Sequence, residues 1–296
     1  MTCFNYQGWF IVPDSLLFGK ERKLAQTSPE RAVSTWSLRR TLGNFIAEDS
    51  AVDGGRFVEL PTIVGGLTLL EIIPELAKRG YTAIQIVHFH LKSLDNQYLD
   101  SVRKALQEHN ITLDALLIDD GDLTADPIEP QLAWYDAWLE VADILGAKRA
   151  RVCAGRSEPT PALLKASALH LANLASKHPN VRIVTENWME MMPDSDSVQT
   201  VLSTAGDSVG LLIDLGNWSS PEKYDELARI APGAETCHAK CAFTEDGPDE
   251  EDFRKSLSVL KDAGFNGPLA LIYDGPDDDE WSALDQEWKI AQDVFK

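Results

Sequence analysis

Near the C-terminal third the chain reads ETCHAKCAF, Glu235 to Phe243, with two cysteines, a histidine and a lysine inside five positions. Those residue types could build a cysteine–histidine metal site, a redox pair or the end of a buried strand. Strand geometry separates these readings. Successive side chains point to opposite faces, so His238 and Lys240 share one face while Cys237, Ala239 and Cys241 share the other. A site joining His238 to either cysteine would break that alternation, and no second thiol pair is at hand to close a tetrahedral zinc site. The spacing therefore predicts packed cysteines and a chemically available His238–Lys240 pair. Lys240 is suited to hold a phosphate or a developing enolate oxygen; a salt bridge to Glu186 is the competing use.

Other apolar runs end in the same polar way. AIQIVHF leads to His88 and His90, TLDALLI to Asp119 and Asp120, RIVTE to Asn187 and Trp188, VGLLID to Gly216, Asn217 and Trp218, and LALIY to Asp274. A carboxylate that follows a buried apolar run is costly unless it is paired or bound to a cation. Glu186 has Arg151 or Lys240 as a structural partner, or else a catalytic or metal role. Asp214 either caps the following Gly-Asn turn or ligates. His88 and His90, two apart on an expected strand, would share a face from which one could reach a substrate. The flat rings of Trp188 and Trp218 suit the apolar face of a sugar and suit core packing equally well.

These strand ends need elements to carry them. Runs rich in β-branched residues recur at 32–38, 83–89, 112–118, 149–154, 182–186, 209–214, 235–239 and 269–273, separated by stretches of helical period. Several of those stretches start after Ser, Asp or Pro and end in Gly or Asn, as helix caps do. Eight strands each followed by a helix predict a single (βα)₈ TIM barrel, whose active site lies at the C-terminal strand ends. The rival, a doubly wound open sheet, would more often have fewer strands and a glycine-rich nucleotide turn, and neither GxGxxG nor GxxxxGK[ST] occurs. The expected division is an N-terminal extension over 1–30 and the barrel over 31–296, with a long loop from Thr41 to Pro61 over the mouth.

Composition narrows the partners. A formal charge of −20, from 47 acidic and 27 basic residues, opposes duplex binding, which needs a basic face. No apolar run approaches the roughly 20 residues that span a bilayer, and the start lacks the basic region of a secretory signal. The four cysteines are too few and too scattered for a disulfide framework. The expectation is a cytoplasmic protein acting on a small molecule, with a homo-oligomer left open.

The ordered set VTENW, LLIDLGNW, ETCHAK and GPLALIYDGPDDDEW, together with LLIDDGDL and RVCAG, resembles the xylose isomerase-like TIM barrels, the sugar phosphate isomerase/epimerase group. The resemblance runs from about Arg31 to the C-terminus. It implies one divalent cation (Mn, Co, Zn, Fe or Mg) at the barrel mouth, with Glu186, Asp214 and His238 as ligands. The family's fourth ligand, a glutamate before a tyrosine on the last strand, is replaced by Ile272 before Tyr273, and Asp274 is the nearest substitute. The implied chemistry is isomerisation or epimerisation of a sugar or sugar phosphate. Glu186 would remove a proton beside a carbonyl, and Lys240 and the cation would stabilise the enediolate. Residues expected to touch substrate are His88, His90, Arg151, Asn187, Trp188, Asn217 and Tyr273. Loss of the second glutamate puts two-base epimerisation in doubt. The alternatives are an inosose dehydratase-like lyase, a sugar-binding barrel without catalysis and an abasic-site endonuclease, the last fitting poorly with six histidines and the acidic charge.

Overall fold

A computed structural model describes residues 29–43, 66–245, 247–276 and 278–296. Its strands are β1 (Glu30–Ser34), β2 (Ala83–Val87), β3 (Thr112–Ile118), β4 (Arg149–Val152), β5 (Arg182–Glu186), β6 (Gly210–Asp214), β7 (Ala234–Cys241) and, after a small hairpin of β8 (Phe243–Thr244) and β9 (Gly247–Pro248), β10 (Pro268–Tyr273). Eight of them close a parallel barrel in the order β1-β10-β7-β6-β5-β4-β3-β2. The helices between them are α1 (Arg39–Leu42), α2 (Leu69–Lys78), α3 (Asn96–Glu108), α4 (Glu129–Leu145), α5 (Pro161–Lys177), α6 (Ser195–Ala205), α7 (Lys223–Ile230), α8 (Glu250–Asp262) and α9 (Glu280–Phe295). The TIM barrel expected from the strand–helix alternation is the observed fold.

Local chemistry places the helix starts. Thr68 and Glu71 make a reciprocal cap at α2. Asp95, Thr160, Asp194, Asp249 and Asp279 each accept a hydrogen bond from the first turn of α3, α5, α6, α8 and α9. Gly146, at φ 73°, ends α4 in the left-handed conformation that side chains resist. The strands are covered on both faces, which is why they read as continuous apolar runs. Cys237, Ala239 and Cys241 face outward into the large core shared with the helices. Inside the barrel, Ala32, Ala83 and Ala270 form a small-residue cluster, while Val87, Ala115, Leu117, Val184 and Leu212 form another that packs Trp36.

Boundaries shift where the chain turns tightly. The first strand stops at Ser34, not 38, because Ser34 accepts from the Trp36 amide at 3.3 Å and starts a 3₁₀ turn over Thr35–Leu38. The second stops at Val87, and His88–His90 form another such turn. Thr41 and Leu42 belong to α1, anchored by buried Glu280, whose carboxylate accepts from the Arg40 and Thr41 amides and the Thr41 hydroxyl. The rest of the expected 41–61 loop lies outside the described residues apart from Gly43, as does the N-terminal extension up to residue 28; Glu30 already pairs with Pro268 in β1. Among the described residues no helix is long and apolar enough to cross a membrane.

Candidate active site

β5, β6 and β7 are adjacent in the barrel, and their C-terminal ends bring Glu186, Asp214 and His238 together. One ligand atom from each lies within 4.8 Å of the others, and all three residues are buried. The imidazole Nδ1 of His238 stands 3.3 Å from Glu186 Oε1 and 3.5 Å from Asp214 Oδ2. Its Nε2 is 2.7 Å from Gln85 Oε1.

Each ligand is held by its neighbours. Asp214 Oδ1 accepts from the amides of Gly216 and Asn217 at 2.6 and 2.8 Å, turning Oδ2 toward His238. Asn187 clamps the Asp214 peptide, accepting from its amide at 2.7 Å and donating to its carbonyl at 3.0 Å. Asn217 donates to Glu186 Oε1 at 2.9 Å. Glu186 Oε2 faces Arg151 Nε at 3.3 Å without hydrogen-bond geometry, and both atoms are buried without a hydrogen-bond partner. A buried carboxylate oxygen left this way, beside a second carboxylate and an imidazole nitrogen, fits a divalent cation that takes mixed nitrogen and oxygen ligands.

The electrostatics agree. Burial opposes the imidazolium of His238, but the Glu186 and Asp214 carboxylates outweigh it and push the pKa up to about 9. Burial likewise works against the Glu186 carboxylate, yet His238 and Arg151 overcome it and keep its pKa below the ordinary value. Burial also opposes the charge on Arg151, but Asp119 and Glu186 more than compensate and raise its pKa. With Glu186, Asp214 and His238 packed together, a proton on the imidazole occupies the electrostatic role that a cation would take.

A cavity of about 260 Å³ opens above this group, lined by Ser34, Trp36, Val87, Leu117, Asp119, Arg151, Glu186, Trp188, Asp214, Asn217, His238, Lys240, Ile272 and Asp274. Lys240 shares the inward face with His238, as strand alternation predicts. Its stem rests on Gly216, where an added Cβ would lie 2.8 Å from the lysine Cγ. The Lys240 ammonium pairs with Asp274 at 3.5 Å rather than with Glu186, and Asp274 also pairs with Arg39 at 3.3 Å. Asp274 thus stands on the cavity wall, outside the three-residue group. Arg151 is ion-paired to Asp119 and lies 4.5 Å from the Trp188 ring centroid, so it braces the tryptophan in the wall.

Four expected substrate contacts lie elsewhere. His88 and His90 do not share an inward strand face, because the 3₁₀ turn replaces the alternation. His88 packs on Trp134 and Trp138 and pairs with Asp120, while His90 Nδ1 bonds Thr35. Tyr273 follows inward Ile272 and so points outward, with its ring edge-on to Phe243 at 4.8 Å. Asn187 is absent from the described lining of this cavity and acts through the Asp214 backbone. Among the residues not anticipated are Trp36, Arg39 and Gln85. Asp119 had a signal, as a carboxylate at a strand end; Gln85, in the middle of an apolar run, had only its polarity.

A parallel (βα)₈ barrel with a carboxylate–imidazole group at the C-terminal mouth defines the class of enzyme scaffold to which this molecule conforms. The chain belongs to the xylose isomerase-like TIM barrel family, which it matches over residues 73–296. No curated protein sequence matches it. Among solved structures it is similar to the probable 3-DHS dehydratase AsbF from Bacillus anthracis (TM-score 0.63, 12% identity, covering 89% of this chain and 98% of that one). It is similar also to the 3-keto-D-glucoside 4-epimerase YcjR from E. coli (TM-score 0.61, 12% identity, 79% and 97%). A third is a sugar phosphate isomerase/epimerase from Parabacteroides distasonis (TM-score 0.60, 11% identity, 92% and 97%). At these identities the likeness carries the fold; the named activities belong to those proteins and include epimerases, isomerases and a dehydratase.

Proposed function

We propose that the protein is a divalent-metal-dependent isomerase of a small sugar or sugar phosphate, working through an enediolate with a single carboxylate base. The observation that carries this reading is the convergence of Glu186, Asp214 and His238 beneath a cavity whose β10 wall is Ile272. Glu186, Asp214 and His238 would hold the ion, which when bound polarises a carbonyl and its neighbouring hydroxyl. Glu186 removes the proton from the carbon between them and returns it to the neighbouring carbon on the same face. Lys240 stabilises the negative oxygen. Trp36, Val87, Leu117 and Ile272 exclude water and keep the transferred proton from exchanging freely.

Ile272 takes away the second carboxylate that two-base epimerisation would use, which supports isomerisation. Inversion at one carbon needs a proton donor on the opposite face, and Ile272, three strands round the barrel from Glu186, has no ionisable atom. A suprafacial shift of the carbon-bound proton needs only Glu186 as carbon base, while Lys240 passes the hydroxyl proton on to the former carbonyl oxygen. The second reading is β-elimination of water, favoured by Lys240 Nζ at the cavity with Asp274 no closer than 3.5 Å. After Glu186 takes the carbon proton, the C–O bond breaks and Lys240 protonates the departing hydroxyl.

Metal analysis of untagged protein, followed by a sugar panel in deuterium oxide, tests both. Isomerisation gives a ketose–aldose pair with deuterium at the receiving carbon whenever the proton exchanges with solvent. Elimination gives an unsaturated or deoxy-keto product. Protein that takes up no divalent metal and turns over no member of the panel would be read instead as a sugar-binding barrel, and the proposal would fall.

A further inference from the structure

We propose that Gln85 is a positioning residue that dictates which nitrogen of His238 faces the metal-binding group, through a polar chain beginning at Arg149. The inference deepens the metal-centre reading above and rests on it. Gln85, Asp114 and Thr236 are all fully buried inside the barrel and hydrogen-bond to one another.

Those directions allow one solution. Arg149 Nη1 donates to Asp114 Oδ1 at 2.5 Å. Asp114 Oδ2 receives Thr236 Oγ1 at 2.7 Å and Gln85 Nε2 at 2.9 Å. An ionised carboxylate accepts only, so both groups facing it donate. Of the two acceptors within reach of the Thr236 hydroxyl, Asp114 at 2.7 Å is nearer than the Pro268 carbonyl at 3.5 Å and takes its hydrogen, while the Thr236 oxygen accepts from Gln85 Nε2 at 3.0 Å. The amide is therefore oriented with its nitrogen toward Asp114 and its carbonyl toward His238. A flipped amide would press its carbonyl against the carboxylate and leave two buried acceptors unsatisfied.

A carbonyl accepts only as well. With Gln85 Oε1 2.7 Å away, His238 Nε2 must carry the hydrogen. Nδ1 is then the nitrogen whose lone pair, in the neutral ring, is directed at Glu186 and Asp214. The backbone is shaped for this chain. β2 and β3 pair Ile84 with Leu113 and Gln85 with Ala115, so Asp114 is the extra residue of a bulge. A bulge re-aims a side chain, and here it aims Asp114 at Gln85.

The test is ¹⁵N-histidine NMR with zinc titration on the full chain and on Gln85→Leu, Thr236→Val and Thr236→Ser. In the metal-free wild type, His238 Nε2–H should be exchange-protected; with zinc bound, Nδ1 should be the shifted nitrogen. Gln85→Leu should lose the Nε2–H protection and bind zinc roughly 10–100-fold more weakly, the scale for a ligand's hydrogen-bond partner. Should Gln85→Leu fail to fold, the threonine pair decides: Thr236→Val should follow it in kind, and Thr236→Ser should resemble wild type. Zinc on Nε2 in the wild type would overturn the inference. So would Gln85→Leu, or Thr236→Val in its place, binding zinc within about twofold of wild type. A protected Nε2–H in a wild-type chain that takes no zinc would overturn the metal reading while leaving the role of Gln85 intact.

Discussion

The two oxygens of Glu186 meet different surroundings: Oε1 is tied to Asn217 and faces His238, while Oε2 is buried without a hydrogen bond. That asymmetry lets one carboxylate contribute to an ion site and still offer a base. Glu186→Gln should lower isomerisation or elimination by roughly 10²–10⁴-fold, the range for removing a general base. Asp274 makes partly exposed pairs with Arg39 and Lys240, so Asp274→Asn should change the rate by less than about fivefold, the scale of an exposed ion pair. Steady-state rates on the active sugar compare them directly, and a larger loss at Asp274 would move that residue into the reacting centre. Ile272→Glu offers an acid/base on the inward face. Exchange with inversion should appear in deuterium oxide if the folded variant places that carboxylate in the cavity; a folded variant with retention only would show that the wall cannot present it to substrate.

At the scale of elements, β7 works through alternation: its even positions from 236 to 240 serve the lumen, and Cys237 and Cys241 serve the packing of helices. The double change Cys237→Ala, Cys241→Ala should leave zinc stoichiometry unaltered and cost roughly 1–3 kcal/mol, as small core truncations do. Chemical denaturation with metal analysis reads both, and lost metal would contradict the alternation. α9 shows the opposite case, a carboxylate in packing. Glu287 is fully buried, both its oxygens lack hydrogen-bond partners, and burial pushes its pKa well up. The folded state keeps a proton there that the unfolded chain releases above about pH 4.3, so this residue draws stability down as pH rises from that value toward its folded pKa. Glu287→Met should raise stability at pH 8 by roughly 1–3 kcal/mol, the penalty of a buried unsatisfied polar group. The gap between the two unfolding midpoints should narrow as pH falls toward 4, leaving only the cost of burying the neutral carboxyl; equal midpoints at pH 8 would mean that the carboxyl is accommodated at no cost.

For the whole molecule, folding and the ion site are linked through His238. Its pKa rises on folding from about 6.5 to about 9 without metal. The metal-free fold therefore has the full contribution of this group below about pH 6.5 and loses it as pH rises through about 9. A cation must displace that proton, so zinc affinity should tighten with pH up to about 9. Thermal unfolding of chelated and zinc-loaded protein across pH 6–9.5 checks this. The gap in midpoint should widen with pH, and a constant gap would remove His238 from the site.

Strand periodicity and helix caps sufficed to predict the barrel, because a parallel strand covered on both faces must read as a short apolar run, and that signal is local. The face of His238, Lys240 and the cysteines was legible for the same reason: alternation follows from the chain's own geometry. Resemblance to the sugar phosphate isomerase/epimerase group, not spacing, pointed to Glu186, Asp214 and His238 as a set. Alternation misled where the strand ended early, at His88 and His90, since the 3₁₀ turn there is held by the Thr35 hydroxyl, which meets the Val87 amide and His90 Nδ1. Only the tertiary structure decided the partners of the long side chains: Lys240 with Asp274, Arg151 with Asp119 and Glu186. It alone set Gln85 beneath His238, a contact across 153 positions of sequence. Closing the barrel joins residues that no local spacing relates, and burial then leaves each polar group only the partners that closure provides.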